Sequence, residues 1–183
     1  MIGPIFPQPV ETRRLTLAAL GADALRAWLL GDAERLEELT GARIDTDATT
    51  PDRFDEDLAT IHEGLRHDPA GAGWLWLAVS RETGRPIGVI GVSPVEKHVL
   101  SLGYSVDPDR VGEGYATEAV QAIAAWAMAR SDVRTLRATI PAWNLPSIRV
   151  AENVGMTRTG FAVDPEGGKV LVYERGQEAP AAG

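Results

Sequence analysis

Polar and apolar side chains alternate from Arg14 to Ala18 (RLTLA), the pattern of a half-buried first strand. Between Ala22 and Leu39 the period changes. Leu25, Trp28, Leu29, Leu36 and Leu39 recur at helical intervals and Gly31 interrupts them, which predicts a helix pair or a kinked helix. Thr50 before Pro51 and acidic residues is a helix start, and Phe54, Leu58, Ile61 and Leu65 share one face, so a further helix is expected from about Pro51 to Arg66. WLWLAVS (Trp74 to Ser80) and PIGVIGV (Pro86 to Val92) flank the turn Glu82-Thr83-Gly84-Arg85 and predict a hairpin. A third apolar run, VLSLGYSV (Val99 to Val106), leads through DPDRVGEGYATEA into a helix. Its inward face is marked by Ala116, Val120, Ile123 and Ala127, and it ends near Arg130. A strand from Val133 to Ile140 and a helix from Pro146 to Asn153, stopped by Gly155, follow. The last element is a hairpin around DPEGG with arms near Thr157 and Leu171.

With no internal repeat or shift in composition, the pattern describes a single domain over residues 1–183, with an ordered core from about 12 to 175 and a disordered tail after Gly176. A chain of 183 residues buries about 70% of its unfolded surface, enough for one core without covalent staples. No window approaches the roughly 18 consecutive apolar residues of a membrane span. The opening MIGPIFPQPVETRR lacks a basic region followed by a long apolar stretch, so a cytoplasmic address is expected and no membrane partner. The net charge of -8 opposes nucleic acid as a partner but is compatible with cationic amines. The chain has no cysteine, which excludes disulfides, thiolate metal sites and any cysteine thioester intermediate.

In VGEGYATEA, the small residues Gly112, Gly114 and Ala116 alternate just before a helix. Backbone N–H groups can approach a ligand there without Cβ obstruction, and the helix dipole is positive. A phosphate or pyrophosphate suits such a cradle, with Thr117 adding a hydroxyl; the competing reading is a plain two-glycine turn. No Gly-Lys-Ser/Thr follows, and the third glycine and downstream acid of a dinucleotide fingerprint are missing, so neither nucleotide hydrolysis nor hydride transfer is supported.

About 30 residues further on, NLPSIRVAENVGM holds Asn144, Ser147, Val150, Glu152, Gly155 and Met156 at fixed intervals. Together with Gly103-Tyr104, Pro108 and the Gly112-to-Ala119 loop, this resembles the GNAT acetyltransferase superfamily. More narrowly, it resembles the branch of the ribosomal-protein N-terminal (alanine/serine) acetyltransferases. The likeness spans Arg14 to about Arg175, with the specific motifs confined to residues 103–156.

The resemblance implies a mixed α/β fold with a mostly antiparallel central sheet flanked by helices. Its fourth strand splays from the fifth around a bulge and leaves a V-shaped slot for a pantetheine arm. It implies acetyl-CoA as co-substrate, held by the strand edge Tyr104, Ser105 and Val106 and by the loop Val111, Gly112, Glu113, Gly114, Tyr115, Ala116 and Thr117. Val111 stands where a polar residue or arginine is usual, and Glu113 faces an anion, with Arg110 near enough to offset it. Asn144 would bond the pantetheine and Ser147 would protonate the departing thiolate; a first-turn or capping hydroxyl is the competing reading of Ser147. Ala151 stands where many relatives carry a tyrosine acid, which leaves the task to Ser147 or water. No metal is implied.

An amine with a pKa near 10 must lose a proton before it attacks a thioester. Glu96 matches the region where the branch carries a glutamate, and His98 is two residues on; a solvated loop charge is the competing reading for each. His62 and His67 read as surface residues. Trp74, Trp76 and Trp143 are candidates for an acceptor pocket, against a core role for strand tryptophans. The expected reaction is direct acetyl transfer to a primary amine, a protein N-terminus or a small molecule, in a ternary complex. A non-catalytic acyl-CoA-binding or sensing domain is the alternative, and a structural domain whose glycines only shape turns is the third. Homodimers occur in the branch, but no feature of the sequence fixes an interface.

Overall fold

The computed structural model describes residues 8–44, 74–163 and 168–177. A single sheet with strand order β1-β2-β3-β4-β5-β6-β8-β7 forms the centre. Its strands are β1 (Val10–Glu11), β2 (Leu15–Leu20), β3 (Trp74–Ser80), β4 (Pro86–Glu96), β5 (Val99–Val106), β6 (Thr135–Pro141), β7 (Thr157–Val163) and β8 (Lys169–Gly176). Every neighbouring pair is antiparallel except β5 and β6. The helices are α1 (Ala22–Leu29), α2 (Ala33–Thr40), α3 (Tyr115–Met128) and α4 (Leu145–Asn153). The helix expected over 51–66, with His62 and His67, lies outside the described residues, as does the tail beyond Gln177.

Each face of the sheet carries a layer. Trp74, Trp76 and Ala78 join Leu15, Leu17, Ile90, Leu100 and Leu102 under α3, whose Ala119, Val120, Ile123, Ala124 and Ala127 complete that core. On the other face Leu75, Leu77 and Val79 pack with Ala18, Leu20 and Val89 against α1 and α2. Period-two alternation thus puts Trp74 to Val79 in one core or the other, and with Ser80 also buried the strand is buried throughout. The expected pause at Gly31 is real. Gly31 adopts φ +67 between the two helices, and the Asp32 carboxylate caps α2 by accepting from the Arg35 N–H at 3.1 Å.

One element and one strand end depart most from the sequence reading. β1 was not expected, because two residues among prolines carry no periodic signal. β4 runs on past Val92 to Glu96, and its register against β5 shifts only at Pro94/Glu96. With β1 added, the fourth and fifth expected strands become β5 and β6.

Candidate active site

The slot begins where the parallel pair ends. β5 and β6 pair over Val99↔Thr135, Leu100↔Leu136 and Ser101↔Arg137, and from Leu102 onward β5 has no partner on that side. The bulge implied by the resemblance is not at the opening: β4 and β5 keep unbroken register from Pro94↔Leu100 to Gly88↔Val106. The Asp107 N–H donates to the Ile87 carbonyl at 2.8 Å. By the alternation of an antiparallel ladder, the backbone groups of Ser105 are turned to β4, while those of Tyr104 and Val106 face the gap. At the other end of the strand, the His98 carbonyl accepts from the Arg134 and Thr135 N–H groups at 2.8 and 3.1 Å, which fits the same parity. Two of the three residues expected along this edge therefore offer main-chain groups to the slot, and Ser105 does not.

Just past the strand a short 3₁₀ turn, Pro108–Arg110, is capped by the Asp107 carboxylate. The chain then passes through Gly112 at φ +92 and Gly114 at φ +81, left-handed conformations that L side chains rarely adopt. Gly114 is the N-cap of α3, and no side chain caps that end. Among the described residues the amides of Gly112, Gly114, Tyr115, Ala116 and Thr117 have no acceptor, although the helix is already under way with the Glu118 N–H bonded to the Gly114 carbonyl. Five unpaired donors and a helix dipole at the mouth of the slot are what an anion cradle requires. Val111 and Glu113 are exposed, and Arg110 lies 3.5 Å from the Glu113 carboxylate, as expected.

The residues that hold this loop in place come from distant parts of the chain. Arg14, from β1–β2, donates through Nε to Glu118 Oε2 at 2.7 Å and through Nη1 to the Glu113 carbonyl at 3.0 Å. Its guanidinium stacks 4.2 Å above the Tyr115 ring. Glu118 also accepts from the Arg14 N–H and the Thr12 hydroxyl, each at 2.7 Å. Burial works against ionising Glu118, but the hydrogen bonds from Thr12 and Arg14 and the arginine charge outweigh it and lower its pKa. The Glu113 carbonyl is thereby fixed by Arg14. Glu118 in the TEA triplet was the available clue, but its partner is 104 residues away.

Opposite the cradle, β6 leads into the exposed Trp143 and then α4. Asn144 Oδ1 accepts from the Ser147 N–H at 3.2 Å, so Asn144, not Ser147, caps the helix. The Tyr104 hydroxyl donates to the Ser147 carbonyl at 2.7 Å, and burial pushes that phenol up to about 12. Ala151 is fully buried one turn on. Trp74 and Trp76 belong to the core, with the Trp76 Nε1–H bonded to the Gln8 carbonyl and its ring edge-on to Trp126, whereas Trp143 is 80% exposed.

Glu96 is not brought to this constellation. It sits opposite Val99 at the closed end of β5, five residues and therefore about 17 Å along the strand from Tyr104. There it pairs with Arg137 at 2.5 Å, and Arg137 also pairs with Glu174 at 2.7 Å. His98 takes φ +65 in the turn, with Nδ1 2.8 Å from the Asp132 carbonyl. Among the described residues, no group of three or more His, Asp or Glu side chains is arranged to hold a metal ion, and no helix is long and apolar enough to cross a membrane.

The family profile described as "Acetyltransferase (GNAT) domain" matches residues 14–157. The chain belongs to the GNAT acetyltransferase family. YjdG of Bacillus subtilis (strain 168), whose name calls it an N-acetyltransferase, is 26% identical over 150 residues, 80% of this chain and 88% of its own. An acetyltransferase from Agrobacterium tumefaciens str. C58 superposes with a TM-score of 0.63 at 25% identity, covering 94% of this chain and 96% of its own. RimL, a ribosomal L7/L12 alpha-N-protein acetyltransferase solved with coenzyme A, reaches a TM-score of 0.66 at 19% identity, covering 92% of this chain and 98% of its own. This GNAT enzyme is thus an acetyl-CoA-dependent N-acetyltransferase, and its fold is shared with ribosomal-protein acetyltransferases.

Proposed function

We propose that the enzyme binds acetyl-CoA across the β5–β6 slot and transfers acetyl directly to a primary amine in a ternary complex. The amine belongs to a protein N-terminus, as for the substrate in RimL's name, or to a small molecule. The observation that carries the reading is the group of amides, Gly112, Gly114, Tyr115, Ala116 and Thr117, that have no acceptor among the described residues, at the mouth of a splayed strand pair. The chain's residues fit the co-substrate: those amides and the Thr117 hydroxyl suit the pyrophosphate, the Tyr104 and Val106 backbone suits the pantetheine amides, and the Asn144 side chain retains its NH₂ donor.

Acetyl-CoA supplies an activated thioester. The enzyme's part is to orient the amine, to place a main-chain N–H near Val106 against developing charge, and to offer the Ser147 hydroxyl to the leaving sulfur. With no cysteine in the sequence, no thiol of the chain can carry the acetyl group. Glu96 is tied to Arg137 at the closed end, away from the slot, and the amine proton passes to water.

The test is acetyl-CoA turnover with spermidine, kanamycin and alanine- and serine-starting peptides. Wild type should acetylate at least one of them, Ser147→Ala should be about 100-fold slower and Glu96→Ala within about threefold. Gly114→Val should abolish CoA binding, since valine resists φ +81. Tight CoA binding without turnover on any amine would overturn transfer to this class of acceptor; binding that survives Gly114→Val would sink the cradle.

A further inference from the structure

Along the open part of the slot the two arms are joined by little. β5 ends in the cradle, β6 ends in the Trp143–Asn144 turn, and their backbones no longer pair. Among the described residues, one side-chain hydrogen bond crosses this opening, from the Tyr104 hydroxyl to the Ser147 carbonyl. Its partners are 43 residues apart and on opposite arms, so local chain geometry does not bring them together.

We infer that Tyr104 is a positioning residue: its hydroxyl fixes the spacing between the β5 edge and the first turn of α4, and so holds Ser147 against the reacting centre. The inference rests on the acetyl-transfer reading above.

Three features support it. The Tyr104 ring packs against the core cluster under α3, which anchors the base of the strut on the β5 arm. At the other end Ser147 is held from two sides, its N–H by Asn144 Oδ1 and its C=O by Tyr104, so its side chain leaves from a backbone fixed at both polar groups. Finally, burial pushes the phenol up to about 12, so it keeps its proton wherever free amines react and stays a donor to the Ser147 carbonyl.

The experiment compares wild type, Tyr104→Phe, Ser147→Ala and the double variant, with acetyl-CoA and the best amine of the panel above, and measures CoA affinity by calorimetry. Tyr104→Phe retains the ring, so the fold should persist. The expected result is a kcat about tenfold lower with KM for acetyl-CoA and CoA affinity within about twofold, since misplacing a reacting group by a fraction of an ångström acts on the chemical step. The double variant should be no slower than Ser147→Ala alone, because residues acting through one another are non-additive. Tyr104→Phe at the wild-type rate would overturn the inference, as would a loss confined to KM or a double variant whose loss is the product of the two singles. Full activity of Ser147→Ala would remove the acid and the strut's route with it. A wild-type protein that does not bind CoA would instead defeat the acetyl-transfer reading itself.

Discussion

The two ends of the β5–β6 pair are built on opposite terms. At the closed end the polar groups pair with one another: the His98 carbonyl takes two amides, its ring meets the Asp132 carbonyl, and Arg137 bridges Glu96 and Glu174. At the open end the amides of Tyr104 and Val106 face a gap and, among the described residues, five more in and just before the first turn of α3 lack acceptors and a single phenol spans the opening. Unpaired backbone donors are costly unless water or a ligand satisfies them, so their concentration at one end of one strand pair marks where a ligand belongs. The difference also teaches that charge is a poor guide here. Arg137 and its two carboxylates lie at the closed end, away from Tyr104 and the cradle.

The comparison breaks most severely at Gly88. A Cβ there would lie 2.2 Å from the Ser105 carbonyl oxygen, a backbone atom with little room to yield, so Gly88→Ala must push β5 away from β4 at the open end. A loss of about 3 kcal/mol in urea unfolding is expected; a loss under about 1 kcal/mol would mean that the strands separate freely. Removing the buttress comes next. Arg14→Ala frees the Glu113 carbonyl and should weaken CoA binding about tenfold by calorimetry, roughly 1.4 kcal/mol, with the sheet intact by circular dichroism.

A smaller effect is the acid dependence of the same network. The folded pKa of Glu118 lies below its ordinary value of about 4.5, so its stabilisation is complete above that pH and is lost as pH falls through the folded value. Glu118→Gln should flatten that part of a melting-temperature profile between about pH 5 and 3; an unchanged profile would refute the assignment. The smallest change is expected at the closed end. Arg137→Met removes ion pairs to a half-buried Glu174 and to a Glu96 that is 59% exposed, and should cost under about 1 kcal/mol with unchanged kinetic constants. A fall in kcat would return Glu96 to the chemistry.

Most elements were legible because burial imposes short periods. The break at Gly31, both arms of the Trp74–Val92 hairpin and the start of α4 fall within a few residues of their expected places. The glycine cradle was legible because left-handed backbone demands glycine at a spacing the sequence displays. What was not legible joins distant segments: Arg14 to Glu118, Tyr104 to Ser147, and the commitment of Glu96 to Arg137. Such pairs depend on which residues the sheet order brings side by side, and nothing local in the sequence encodes it. β1 escaped for a simpler reason, since two residues hold no period.

The three-residue parallel pairing of β5 with β6 also makes the sheet two antiparallel blades, β1 to β5 and β6 to β8–β7, welded along a very short seam. Each blade is built largely from neighbours in the chain, whereas the seam needs the whole α3 crossover to close, and connections of that kind form slowly. A ligand lying across the seam therefore acts as a second weld. At a concentration 100 times its Kd it adds about 2.7 kcal/mol to the work of parting the blades, and hydrogen exchange should slow on both sides of the join at once.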